Sequence, residues 1–95
     1  MRKCFKVLES LKKSPNSWPF LEPVDPVKLK IPDYFEIVKE PMDLKTVENN
    51  LLNGVYKNPI NFEMDVKKIW ANSILYNPNY TNIYSITIKI RDEFE

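Results

Sequence analysis

The stretch from Trp70 to Ile83, WANSILYNPNYTNI, places one uncharged amide, Asn77, between Tyr76 and Pro78. A carboxamide carries one acceptor and two donors on a short neutral arm, so an Asn set among Tyr and Ile suits a ligand group that is polar but uncharged, such as another amide. A helix ending at Tyr76 would bring Asn77 to its terminus. Pro78 then forces a turn, because the residue before a proline is driven out of the helical region and proline has no N–H to donate. The competing reading is that Asn77 caps the helix. Asn before Pro is common in turns, and on that dipeptide alone the cap is the commoner role.

Other chemistry is hard to assemble from this composition. The chain has no histidine, so it lacks the commonest general base and the usual partner of a Ser or Cys nucleophile. An enzyme is disfavoured on that ground. Asp33 and Asp43 are the tempting pair for acid or base work, but each stands just before a predicted helical turn, where capping is the usual role. One cysteine, Cys4, and no histidine make no zinc cluster and no intrachain disulfide, which fits a reducing intracellular compartment. No metal and no cofactor is implied. A net charge of +1 over 95 residues gives no general attraction to nucleic acid, so direct DNA contact is not expected. Lys12-Lys13 and Lys67-Lys68 read as solvated faces. No apolar run reaches the length of a membrane span, and the basic start MRK is not followed by a signal-peptide core.

Four helices are predicted, with no convincing strand pattern and no internal repeat. Over 3–13, Cys4, Phe5, Val7, Leu8 and Leu11 fall largely on one face, opposite Lys6, Glu9, Lys12 and Lys13. Ser14-Pro15-Asn16 ends this helix. A second helix over 43–53 takes Asp43 as N-cap, buries Leu44, Val47, Leu51 and Leu52, and meets the only glycine, Gly54, where a left-handed residue is wanted. Asn58-Pro59 starts a third helix that runs to Tyr76, with Phe62, Val66, Ile69, Trp70 and Ser73 inward. Ile83, Ile86, Ile90 and Phe94 mark a fourth, whose pattern is still running where the sequence stops.

Between the first two helices, residues 14–42 hold five prolines from Pro19 to Pro41 yet keep Trp18, Phe20, Leu21, Val24, Val27, Leu29 and Ile31. A disordered linker would not be so hydrophobic. The segment reads as an ordered loop packed on helices, of the length that tends to be functional, with proline lowering the entropy lost on holding it. Tyr34 and Ile37 would share one side of a short helical turn within it. The simplest architecture is an all-α, left-handed or similar four-helix bundle carrying this long loop.

Trp18-Pro19-Phe20, Pro23-Val24-Asp25, Ile31-Pro32-Asp33-Tyr34, Pro41-Met42-Asp43-Leu44 and Tyr76-Asn77-Pro78 stand in that order. Together they resemble a bromodomain, a four-helix module that reads acetyl-lysine, and the resemblance covers almost the whole chain as a single domain. In that comparison the helices correspond to Z, A, B and C, residues 14–42 to the ZA loop and 77–82 to the short BC loop. The wording WPFLEPVD and LKIPDYF is especially similar to the BET-type branch. Thr81 and Asn82 depart from it, since BET-type first domains tend to carry acidic residues there.

The resemblance implies a site residue by residue. Asn77 would donate to the acetyl carbonyl, and Tyr34 would hold an ordered water bridging to the same oxygen. Val24, Leu29, Ile31 and Tyr76 would form the walls, and Ile83 would guard the entrance. Trp18, Pro19 and Phe20 would form a shelf, with Phe20 facing inward. Trp70 is assigned to the core and Met42 to packing or helix entry. The implied partner is an acetylated histone tail or another acetylated nuclear protein, bound by a monomeric, non-catalytic domain in the nucleus. The alternative is a helical scaffold for protein association whose pocket is closed or unused.

Overall fold

Helix α1, Arg2–Lys13, presents Cys4, Leu8 and Leu11 to the interior, and its last turn is basic, with Lys12 and Lys13 complementing the negative end of the helix dipole. The computed structural model describes residues 2–94, and among them there is no strand. The remaining helices are α2, Tyr34–Ile37; α3, Leu44–Leu52; α4, Pro59–Tyr76; and α5, Asn82–Phe94. A single 3-10 turn, Trp18–Phe20, follows α1. Helices α1, α3, α4 and α5 form a four-helix bundle. α4 packs on both α3 and α5, α1 packs on α3 and α5, and the short α2 lies against α4.

The core is the convergence of four apolar stripes. Leu8 of α1, Val47 of α3, Val66 of α4 and Ile90 of α5 are fully buried. Trp70 lies among them as expected, 1% exposed, with Phe20 meeting it edge-on at 5.3 Å and Phe94 at 6.4 Å between ring centroids. Its indole N–H has no hydrogen-bond partner among the described residues. Two expectations fail at the edges of these stripes. Leu52 is 67% exposed, because α3 turns its next inward position to Leu51, and Ile37 stays exposed while Val38 takes the buried place beside Tyr34.

Helix ends follow their chemistry. Asp43 accepts from the Thr46 amide at 2.9 Å and from the Thr46 hydroxyl, and Asn58 accepts from the amides of Ile60 and Asn61 ahead of Pro59. Asp33 does not cap α2; its carboxylate accepts from the Tyr76 hydroxyl instead. Lys12 is not merely solvated, since its ammonium reaches Glu48 of α3 at 2.9 Å and this bond raises its pKa. Lys68 likewise lies within salt-bridge distance of Asp65 and Glu40.

At the end of α3, Val55 N–H closes on the Asn50 carbonyl and Gly54 N–H on the Leu51 carbonyl, with Gly54 at φ 68°. A Cβ on Gly54 would meet nothing within 4 Å, so only the backbone conformation resists a side chain there. Gly54→Ala should therefore destabilise by about 1 kcal/mol and lower Tm by several degrees, with Gly54→Asn costing less; an unchanged melting curve for the alanine variant would contradict this.

Tyr56, buried beyond that turn, donates to Asp65 at 2.6 Å and accepts from Asn50 at 3.3 Å. Burial, reinforced by the Asp65 bond, pushes its phenol from 10.0 up to about 12. Between pH 10 and about 12 the unfolded chain releases this proton while the folded chain keeps it, so the phenol's stabilising contribution is present below 10 and is lost as pH rises through that window. In urea unfolding, Tyr56→Phe should flatten the alkaline loss of stability relative to the unsubstituted chain.

Candidate functional site

Helix α4 ends where Pro78 requires it to. Asn77 leaves the helical region at φ −95°, ψ 124°, the extended conformation favoured before proline, while its own N–H still closes the last turn on the Ser73 carbonyl at 2.9 Å. The side chain folds back over that turn. Its Nδ2 donates to the Ser73 carbonyl at 3.0 Å and lies 3.3 Å from the Ser73 hydroxyl. Asn77 is thus both a cap and a half-buried donor, and the two readings of the dipeptide turn out to be compatible.

Facing Asn77 is a cavity of about 430 Å³ between the loop after α1 and the ends of α4 and α5. The structure brings all ten residues singled out from the sequence to its lining. Trp18, Pro19 and Phe20 come from the 3-10 turn, Val24, Leu29 and Ile31 from the loop, Tyr34 from α2, Tyr76 and Asn77 from the end of α4, and Ile83 from α5. They are unequal in exposure. Trp18 and Leu29 are 61% and 58% exposed, at the rim, whereas Phe20 and Tyr34 are buried.

The loop reaches the cavity by a turn that the sequence did not signal. Asp25 accepts from the amides of Val27 and Lys28, the Leu29 amide returns to the Asp25 carbonyl, and Lys30 takes a left-handed φ of 60°. Reversing the chain at Lys30 leaves Leu29 and Ile31, on either side of it, both on the cavity. Val27, at the apex, is 87% exposed, so this turn of the loop does not bury its apolar residues as Phe20 and Tyr34 are buried.

Two side chains four residues apart on α4 hold the far end of this loop. Asn72 donates to the Glu40 carbonyl at 2.8 Å, and the Tyr76 hydroxyl donates to the Asp33 carboxylate at 2.7 Å. The second bond is where the Asp33 carboxylate goes instead of capping α2, and it raises the pKa of Tyr76. Tyr34 stacks edge-on against Tyr76 at 5.1 Å, and burial raises its phenol pKa, so the hydroxyl stays protonated through neutral pH.

Several lining residues were read from the sequence as interior or packing residues and not as part of the site. Ser73 and Ile69 line the cavity at steps of four before Asn77, so the stripe Ile69, Ser73, Asn77 was the available signal. Met42, read as packing, both packs on the core and lines the cavity. Its position between Pro41 and an N-cap carries no periodic signal. Among the described residues no lysine or arginine lines the cavity; its two acids are Asp43, buried and engaged with Thr46, and Glu22, exposed. No group of three or more metal-ligating side chains occurs among the described residues, and no helix is long and apolar enough to cross a membrane.

The bromodomain sequence profile matches residues 4–89. The chain is a bromodomain. Transcription factor GTE10 of Arabidopsis thaliana is 42% identical over 95 residues, all of this chain and 9% of that protein. Bromodomain-containing factor 2 of Saccharomyces cerevisiae is 42% identical over 92 residues, 97% of this chain and 14% of that protein. Among solved structures, the second bromodomain of Candida albicans Bdf1, bound to an imidazopyridine, superposes with a TM-score of 0.93 at 39% identity, covering 98% of this bromodomain and 91% of that chain. These relatives are BET-type bromodomain proteins, the branch whose loop wording this bromodomain shares. The bromodomain thus spans a small part of the relatives' length, and the family is one of binding modules.

The Tyr76–Asp33 bond pins the loop without belonging to the core. Tyr76→Phe or Asp33→Ala should speed amide hydrogen exchange through residues 24–34 several-fold and leave exchange in α4 above its last turn unchanged. Equal exchange in the variants and the parent chain would show that the bond holds nothing in place.

Proposed function

We propose that this cavity reads Nε-acetylated lysine in a histone tail or another nuclear protein, and that the domain thereby recruits its parent protein to chromatin without catalysing a reaction. The observation that carries the reading is the Asn77 amide at a mainly apolar cavity that, among the described residues, no cationic residue lines. Acetylation removes the lysine charge and leaves a secondary amide on an apolar stem. Such a group can be buried against apolar walls if its carbonyl finds a donor, whereas a free ammonium would shed its hydration with no buried counter-ion to receive it, the Asp43 carboxylate being engaged by Thr46.

Asn77 is the donor in this reading. In this reading a single N–H is shared between the Ser73 carbonyl at 3.0 Å and the Ser73 hydroxyl at 3.3 Å, and the other N–H serves the acetyl oxygen. Tyr34, buried and protonated, would hold an ordered water bridging to the same oxygen. Val24, Leu29, Ile31, Tyr76 and Ile83 would enclose the stem, with Trp18, Pro19 and Phe20 as the shelf. Because each hydrogen bond contributes about 1 kcal/mol net, the affinity for one acetylated side chain should be modest.

A scaffold with a closed pocket is the competing reading. Tyr80, one residue that would have to close it, is 85% exposed and is not on the lining, while Ile83 stands at the wall of a cavity still about 430 Å³ in volume. Both observations favour the reader. The domain is proposed to act as a monomer in the nucleus, with DNA contact playing no direct part.

Calorimetric titration with a histone tail peptide in acetylated and unmodified forms is the test. The acetylated peptide should bind, the unmodified one should bind at least about tenfold more weakly, and Asn77→Ala should weaken acetylated-peptide binding by about five- to tenfold. Equal binding of both peptides, or an unaffected Asn77→Ala variant, would refute the reading.

A further inference from the structure

Behind Asn77 lies a buried pair of hydroxyls with no part in the interface between helices α4 and α5 that two apolar residues could not fill. Ser73 Oγ and Thr87 Oγ1 are 2.6 Å apart, Ser73 is 7% exposed and Thr87 is fully buried. Thr87 is the more surprising of the two, because α5 reads as a helix packed through isoleucines, and its buried residues are Thr87 and Ile90. The direction of the bonds follows from what each end can do. Thr87 Oγ1 donates to the Ile83 carbonyl at 2.7 Å, and a carbonyl only accepts. The Thr87 hydroxyl proton is therefore spent, so in the 2.6 Å contact Thr87 accepts and Ser73 donates. With its own proton spent, the Ser73 oxygen can only accept, and the group facing it is the Asn77 Nδ2 at 3.3 Å.

We infer that Ser73 and Thr87 are positioning residues for Asn77: a one-way hydroxyl relay, anchored on the Ile83 carbonyl, that keeps the carboxamide turned with its NH2 toward Ser73. Rotating the carboxamide by half a turn would place its oxygen against the Ser73 carbonyl and against a hydroxyl whose proton is already donated, acceptor against acceptor in both contacts. The relay also joins the two ends of the cavity. It begins at Asn77, just past the end of α4, and ends at the backbone of Ile83 on α5, so three bonds link the donor, which the Ser73 carbonyl also holds, to the residue at the cavity wall. This rests on the acetyl-lysine reading insofar as it concerns affinity; the orientation of the free carboxamide can be observed without a ligand.

The test pairs binding with NMR of the Asn77 side-chain amide, in the unsubstituted domain and in Thr87→Val, Thr87→Ser and Ser73→Ala. Thr87→Val keeps the shape and removes the relay's anchor. It should weaken binding of an acetylated histone peptide by about three- to fivefold, and in the ligand-free protein the two Asn77 NH2 proton signals should move toward each other or broaden. Thr87→Ser should restore both, which a loss of packing alone would not predict. Because the relay is serial, Ser73→Ala combined with Thr87→Val should weaken binding no more than Ser73→Ala does by itself. If the unsubstituted domain prefers the acetylated peptide while Thr87→Val binds it equally well and leaves the Asn77 signals in place, the relay is overturned. If the unsubstituted domain shows no preference, the acetyl-lysine reading fails on its own, and the ligand-free Asn77 signals still decide the relay: unmoved in Thr87→Val, they overturn it; moved and restored by Thr87→Ser, they support it.

Discussion

One backbone carbonyl, that of Ser73, organises the site. It receives both the amide N–H of Asn77 and the side-chain Nδ2, so the last turn of α4 is closed and the donor is aimed by the same acceptor. Pro78 makes this possible. By driving Asn77 out of the helical region it stops α4 at Tyr76, and the carboxamide falls back on the turn it has just left instead of pointing into solvent. A residue earlier or later, the same side chain would sit on a different face of the helix.

The long loop is held to this point rather than folded by itself. Its hydrogen bonds to α4 come from Asn72 and Tyr76, its aromatic anchors are Phe20 against Trp70 and Tyr34 against Tyr76, and between them its apolar side chains are largely open to solvent. That exposure has a function in the proposed reading. A loop that buried Val24 and Leu29 against the bundle would leave no cavity, whereas one fixed at its near end by Phe20 against Trp70 and at its far end by the bonds from Asn72 and Tyr76 keeps apolar walls standing apart for a ligand to fill. Holding the walls in advance reduces the ordering cost of binding, which matters when the polar contacts contribute little each.

Much of this was legible in the sequence, and the reasons differ by residue. Asp43, Asn58 and Gly54 mark helix ends through local chemistry that tertiary structure does not alter, and α4's interior face from Phe62 to Ser73 follows from the helical period. The cavity lining was legible through motif order more than through physics, since nothing in the pattern of prolines says that Leu29 and Ile31 face the end of α4. Asp33 shows the limit of local reasoning. Its position before α2 has every mark of a cap, but Tyr76, 43 residues away, offers a better donor. Thr87 shows it again: a polar residue in an apolar stripe is recognisable from the period, but its partner Ser73 lies on another helix, 14 residues back. The left-handed Lys30 carries no sequence signal, because lysine does not favour that conformation.

A crystal structure of the domain with an acetylated histone peptide tests acetyl-lysine recognition through Asn77 most directly. The acetyl oxygen should lie within hydrogen-bond distance of Asn77 Nδ2, with the lysine stem between the Val24–Leu29 wall and Ile83. A peptide seated elsewhere, or an acetyl group in the cavity whose oxygen is turned away from Asn77, would contradict it.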